Sequence, residues 1–119
     1  MLTLPPGIQV VLATSSVDGR KGINGLSALV RSQFSEDPLS GQMFVFFSRR
    51  ADRVRVLYWD RDGYVMIIKR LEKGRFRVPW QSATGHVVIE AAELLLVLEG
   101  IDLKDATRRT RWHPRRPEL

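Results

Sequence analysis

A chain of 119 residues with 19 Lys and Arg against 13 Asp and Glu, a net charge of +6, makes one small domain drawn to anions. Cysteine is absent, which excludes a disulfide framework, a thiolate nucleophile and a cysteine-based metal site. No apolar run reaches the roughly 18 residues of a membrane span, and the start MLTLPPG lacks a secretory pattern, so a cytoplasmic protein without membrane contact is expected.

In chain order, Ile8 to Ala13 is a β-branched run that reads as a strand, and Ser15 to Gly19 reads as a turn ending in Asp-Gly. Leu26, Leu29, Val30 and Phe34 fall at helical spacing, which predicts a helix over residues 22–35 with Asn24 as a cap, closed by Glu36-Asp37-Pro38. Met43 to Phe47 and Val54 to Trp59 read as strands joined by the charged connection SRRADR, and Asp60 to Gly63 as the next turn. Tyr64, Ile67, Ile68 and Leu71 make an i, i+3, i+4, i+7 stripe, so residues 64–73 are predicted as an amphipathic helix ended by Gly74. Tyr64 to Ile68 is also rich in strand formers. Arg75 to Val78 alternates and reads as a strand, His86 to Ile89 as a short strand, and Glu90 to Glu99 as a helix closed by Gly100. The layout β-α-β-β-α-β-β-α predicts an α+β fold: a small, mainly antiparallel sheet with two to three helices on one side. Residues 1–103 form its single domain, and residues 104–119, basic and rich in proline, form a flexible tail.

No catalytic constellation is legible. His86 abuts a strand and His113 lies in the tail, without a metal-ligand spacing, so neither a cofactor nor a small-molecule substrate is expected. A two-metal phosphodiesterase site would have to be assembled from Asp52, Asp60, Asp62 and Glu72. Turn chemistry and ion pairs with the neighbouring arginines are the stronger reading.

The cations carry more information. Fifteen of the 19 basic residues are arginine, whose planar fork pairs bidentately with phosphate. Arg20 and Lys21 precede the first predicted helix and are candidates for backbone phosphate contacts, although their spacing matches no nucleotide-binding loop. Arg49, Arg50, Arg53, Arg55, Lys69, Arg70, Lys73, Arg75 and Arg77 form the central basic set, with Arg49, Arg50 and Arg53 at a hairpin tip. Tyr58, Trp59 and Trp80 lie close by in sequence and are weighed as base-stacking platforms against core packing. The leucine-rich last helix offers Leu94, Leu95, Val97 and Leu98, more than one narrow buried stripe needs, as a docking face for a protein partner.

Several blocks carry a family resemblance: Val17-Asp18 with Arg20-Lys21-Gly22; Gly25-Leu26 and Ala28-Leu29-Val30; Phe44-Val45-Phe46 through Arg49-Arg50 and Asp52-Arg53; Leu57-Tyr58-Trp59-Asp60; Gly63; Lys69 through Phe76; Pro79; and Glu93-Leu94 with Leu98 through Asp102. In their order and spacing they resemble the TnpB accessory proteins (Orf2-like) of IS-sixty-six-type bacterial insertion sequences, over roughly Ile8 to Leu103. Asn24, Ile23 and Val78 depart from the Asp, aromatic and Trp usual there. The resemblance implies a part in transposition in the bacterial cytoplasm, with strand cleavage performed by a separate, larger protein, and it brings no established functional residues.

The expected function is therefore that of a non-catalytic accessory protein that contacts transposon DNA, the transposase, or both. Arg20, Lys21, Arg49, Arg50, Arg53, Arg55, Lys69, Arg70, Arg75 and Arg77 would form its anion-binding surface. The alternatives are a pure protein-interaction module docking on the transposase and, further off, a metal-dependent phosphodiesterase.

Overall fold

A computed structural model describes residues 7–78 and 80–100. The chain order is β1 (Gln9–Ala13), α1 (Ile23–Gln33), β2 (Met43–Phe47), β3 (Arg53–Asp60), β4 (Gly63–Arg70), β5 (His86–Glu90) and α2 (Ala91–Leu98). The five strands form one sheet in the order β4-β3-β2-β1-β5. β1 and β2 are parallel, joined by α1 as the crossover that a parallel pair requires, and every other pairing is antiparallel.

The α+β class and the mainly antiparallel sheet agree with the sequence reading; the element order does not. Residues 64–73 were expected to be helical, but Gly63–Arg70 is a strand paired with β3 through eight consecutive positions, from Asp60 opposite Gly63 to Arg53 opposite Arg70. The helical stripe is an accident of where the apolar residues fall. Once the Arg61-Asp62 turn reverses the chain, the strand-forming Tyr64 to Ile68 gains a full ladder alongside β3. Residues 75–78, expected as a strand, are irregular. Asn24 does not cap α1: Gly22 is the cap residue, with no side-chain hydrogen bond, and Asn24 lies inside the first turn.

The helices were expected on one side of the sheet; they cover both. On one face Val11, Ala13, Phe44, Phe46 and Leu57 pack against Leu26, Val30 and Phe34 of α1 and its end. On the other, Val10, Leu12, Val45, Phe47, Val54 and Val56 pack with Leu94, Val97 and Leu98 of α2 and with Phe76. β2 (MFVFF) is therefore buried at every position, as a strand with both faces covered should be. The predicted boundary at residue 103 and the tail from Lys104 lie outside the described residues.

Two ends of the sheet follow from this register. At one lie the carboxyl ends of β1 and β2, the start of β3, the end of β4 and the start of β5; at the other lie Gln9, Met43, the Asp60–Gly63 turn and Glu90.

Candidate nucleic-acid interface

The first end of the sheet gathers the cations. Arg49 and Arg50 sit in the β2–β3 turn, and Arg53 opens β3. That turn is built without them. Ser48 Oγ donates to Asp52 Oδ1 at 3.1 Å, the Arg53 amide donates to Ser48 Oγ at 3.1 Å, and the Ala51 amide donates to the Ser48 carbonyl. Asp52 thus does the turn chemistry read from the sequence, without an arginine partner among the described residues, and Arg49, Arg50 and Arg53 are exposed.

The chain after β4 runs back along this turn. The Leu71 amide donates to the Asp52 carbonyl at 2.7 Å, and the Phe76 amide to the Ala51 carbonyl at 2.6 Å. Phe76 is buried against Phe47, with ring centroids 5.7 Å apart, so the exposed Arg75 and Arg77 on either side of it are pinned beside Arg49, Arg50 and Arg53. Gly74 allows the bend that brings them there: its φ of +80° lies where a side chain would be strained.

A third segment joins the same end. The Val17 amide donates to the Phe47 carbonyl at 3.0 Å, which lays the loop 15–22 against the end of β2. Asp18 then organises the loop tip. Its Oδ1 accepts from the Arg20 amide at 2.9 Å, its Oδ2 accepts from Arg20 Nη2 at 2.9 Å, and its carbonyl accepts from the Lys21 amide. These hydrogen bonds, the Arg20 side chain first and then its amide, hold the Asp18 carboxyl at about 2, below its ordinary 3.8. Lowered in the folded state, that carboxyl contributes stability that is present above its ordinary value and is lost as pH falls toward 2. In Arg20→Ala, carbon-detected NMR is expected to find the Asp18 midpoint moved back up toward 3.8; a midpoint unmoved near 2 would mean Arg20 does not set it. From sequence Asp18 was read only as part of a turn and of a family block, not as a site residue, and the signal for its role was an Asp two residues before an Arg in a glycine-containing turn.

Arg55, expected on the anion-binding surface, is buried and ties this loop to the sheet. Only 6% exposed, it donates through Nη2 to the Asp18 carbonyl at 3.1 Å and through Nη1 to the Lys21 carbonyl. Burial, followed by the nearby Arg53 charge, lowers its pKa.

Three others of the expected set are also engaged. Lys69 donates Nζ to the Leu98 carbonyl at 2.9 Å, where a cation complements the end of α2. Arg70 pairs with Glu72 at 3.2 Å and Arg20 with Asp18 at 2.9 Å, both at the surface, where such pairs are weak and exchange readily with other anions. Lys21, Arg49, Arg50, Arg53, Arg75 and Arg77 have no carboxylate within ion-pair distance among the described residues. The start of α1, with no acidic residue in its first turn, adds partial positive charge at this end. The opposite end carries Glu36, Asp37, Asp60, Asp62, Glu90 and Glu93, so the described residues are electrically polar along the strands.

The aromatic candidates do not join the cations. Tyr58 and Trp59 lie toward the far end of β3, about 17 to 20 Å along the strand from Arg53. Trp59 packs edge-on to Tyr64 at 5.1 Å, and Tyr58 and Trp80 pack against the α2-side core. The expected docking face of α2 is also reduced: Leu94, Val97 and Leu98 are core, which leaves Leu95 half-buried at the surface. His86 packs at a tilt against Phe34, with ring centroids 4.7 Å apart. Among the described residues no three of His, Cys, Asp and Glu are grouped to hold a metal ion, and no helix is long and apolar enough to cross a membrane.

The chain is thus a small α+β domain with one arginine-rich end. The chain matches the family described as IS66 Orf2 like protein over residues 8–108, and it belongs to that family, the accessory proteins of insertion-sequence transposition. It is similar to two proteins of Sinorhizobium fredii. It is 41% identical over 96 residues to uncharacterized protein y4jC, covering 81% of this chain and 81% of that protein. It is 35% identical over 114 residues to uncharacterized protein y4hO, covering 93% and 96%. No solved structure matches it.

Proposed function

We propose that this accessory protein contacts the DNA of its insertion sequence through the cationic end of the sheet and performs no bond-breaking itself. One observation carries the reading. Arg49, Arg50, Arg53, Arg75 and Arg77 come from two separate segments, are held together by backbone hydrogen bonds, and remain exposed with no carboxylate partner among the described residues. Like charges crowd at a cost, and a phosphate backbone relieves it. Such contacts position a protein on DNA without reading bases, which suits a surface from which Tyr58 and Trp59 are remote.

The test is retardation of terminal-repeat DNA and of unrelated DNA by the full chain at about 50 and about 200 mM salt. Release of counterions from about five phosphates should weaken binding by about 10²- to 10³-fold over that range, similarly for both DNAs. Binding insensitive to salt would overturn the proposal. Retention by the transposase after nuclease treatment, with no retardation of either DNA, would replace DNA contact with docking on the transposase.

A further inference from the structure

We infer that β4 is a homodimerisation edge, on which a second copy of this chain adds its own β4 antiparallel to extend the sheet to ten strands. β4 lies at the end of the strand order and pairs on one side only, with β3. Its edge is weakly protected: it is eight residues long, has no proline, shows the apolar Ile68 57% exposed, and carries charge only at its end, in Lys69, whose Nζ is bonded to the Leu98 carbonyl, and Arg70. Among the described residues no strand pairs with its outer side.

The ladder shows which backbone groups are on offer. The Leu71 amide bonds inward to the Asp52 carbonyl, one step beyond the Arg53–Arg70 pair. Hydrogen-bonded and open positions alternate in an antiparallel pair, so the odd-numbered residues of β4 bond to β3. Tyr64, Met66, Ile68 and Arg70 therefore turn their N–H and C=O groups outward. The other edge, β5, is weaker on this count: it has five residues, and its Glu90 amide is already taken by Glu93 Oε1 at 3.0 Å.

Charge selects a second copy as the occupant. β4 begins just after Asp62 and ends at Arg70, so its two ends are opposite in sign. Pairing about a two-fold axis at Met66 sets Arg70 of each copy opposite Asp62 of the other, and Ile68 opposite Tyr64, a β-branched–aromatic pair on the α1 side of the sheet. Sliding by one pairing step in one direction sets Asp62 against Glu72. Sliding the other way buries Asp62 against Ile68. Only the Met66-centred register matches charge with charge and apolar with apolar. The axis is normal to the sheet, so the dimer's two cationic ends face opposite ways.

Analytical ultracentrifugation of the full chain, without DNA, tests this. A monomer–dimer equilibrium in the micromolar range is expected, about what a small interface supports. Ile68→Lys should raise the dissociation constant about tenfold or more, because a charge enters the seam. Asp62→Arg and Arg70→Asp should each weaken the dimer, and the double variant should restore it. Hydrogen exchange at the Met66 and Ile68 amides should slow as concentration rises. A chain monomeric at about 100 µM, a dimer indifferent to Ile68→Lys, or protection of those amides in the monomer, which would mean the chain's own residues cover the edge, would each overturn the inference. So would a transposase that takes this edge from a chain that never self-associates. DNA plays no part in these measurements, so their failure leaves the cationic end untouched.

Discussion

The Arg49→Ala/Arg50→Ala/Arg53→Ala variant is expected to bind DNA about 10- to 100-fold more weakly at moderate salt and to lower the slope of log affinity against log salt by about 2 to 3. Each guanidinium that meets a phosphate releases close to one counterion, so three removed contacts take that much from the slope. The fold should survive, because these side chains are exposed and the turn is held by Ser48, Asp52 and backbone groups. A change in stability within about 0.5 kcal/mol is expected from denaturant titration. The control is built into the molecule's polarity. Arg31 and Arg61 lie toward the acidic end, and Arg61 is 3.8 Å from Asp60. Arg31→Ala/Arg61→Ala removes nearly as much charge but should change affinity only about twofold, which separates a localised grip from attraction by net charge. Equal losses in both variants would mean that DNA senses only the total.

How much of this was legible in advance depended on the kind of signal. Strands β1, β2 and β3 were legible because β-branched and aromatic runs bounded by turns have few other uses. The coming together of Arg49, Arg50 and Arg53 followed from a short connection between two of them. The ends of the sheet were not legible, because they depend on register. Nothing local says that the segment after β4 folds back so that Phe76 reaches Phe47 and carries Arg75 and Arg77 with it. Period alone misled at Tyr64 to Leu71, where four apolar residues fit a helix by position while the ladder to β3 decided for a strand. A stronger clue lies in β2, whose uninterrupted MFVFF implies cover on both faces and hence one helix on each. That cover also occupies much of α2: Leu94, Val97 and Leu98 fill the second core.

Arg55 is the residue at which a shared face in sequence and a shared role in the structure part company, and its variants distinguish the two. It alternates with Arg53 along one side of β3, yet Arg53 is exposed while Arg55 is buried over the loop that carries Arg20 and Lys21. Arg55→Ala removes charge-assisted bonds to two carbonyls and leaves a hole between sheet and loop, so stability should fall by about 2 to 4 kcal/mol, read as a drop in denaturant midpoint. Arg55→Met keeps the stem and also removes a charge that burial disfavours. Those gains oppose the lost hydrogen bonds, and the net cost should be about 1 kcal/mol or less. Both variants should speed hydrogen exchange at the Arg20 and Lys21 amides, since the carbonyls beside them lose their anchor. DNA affinity should fall only by what a loosened Arg20 and Lys21 contribute, less than in the hairpin-tip variant. A fully stable Arg55→Ala that no longer binds DNA would reverse the assignment: Arg55 would then touch the ligand, and the loop would owe its position to the Val17–Phe47 hydrogen bond alone.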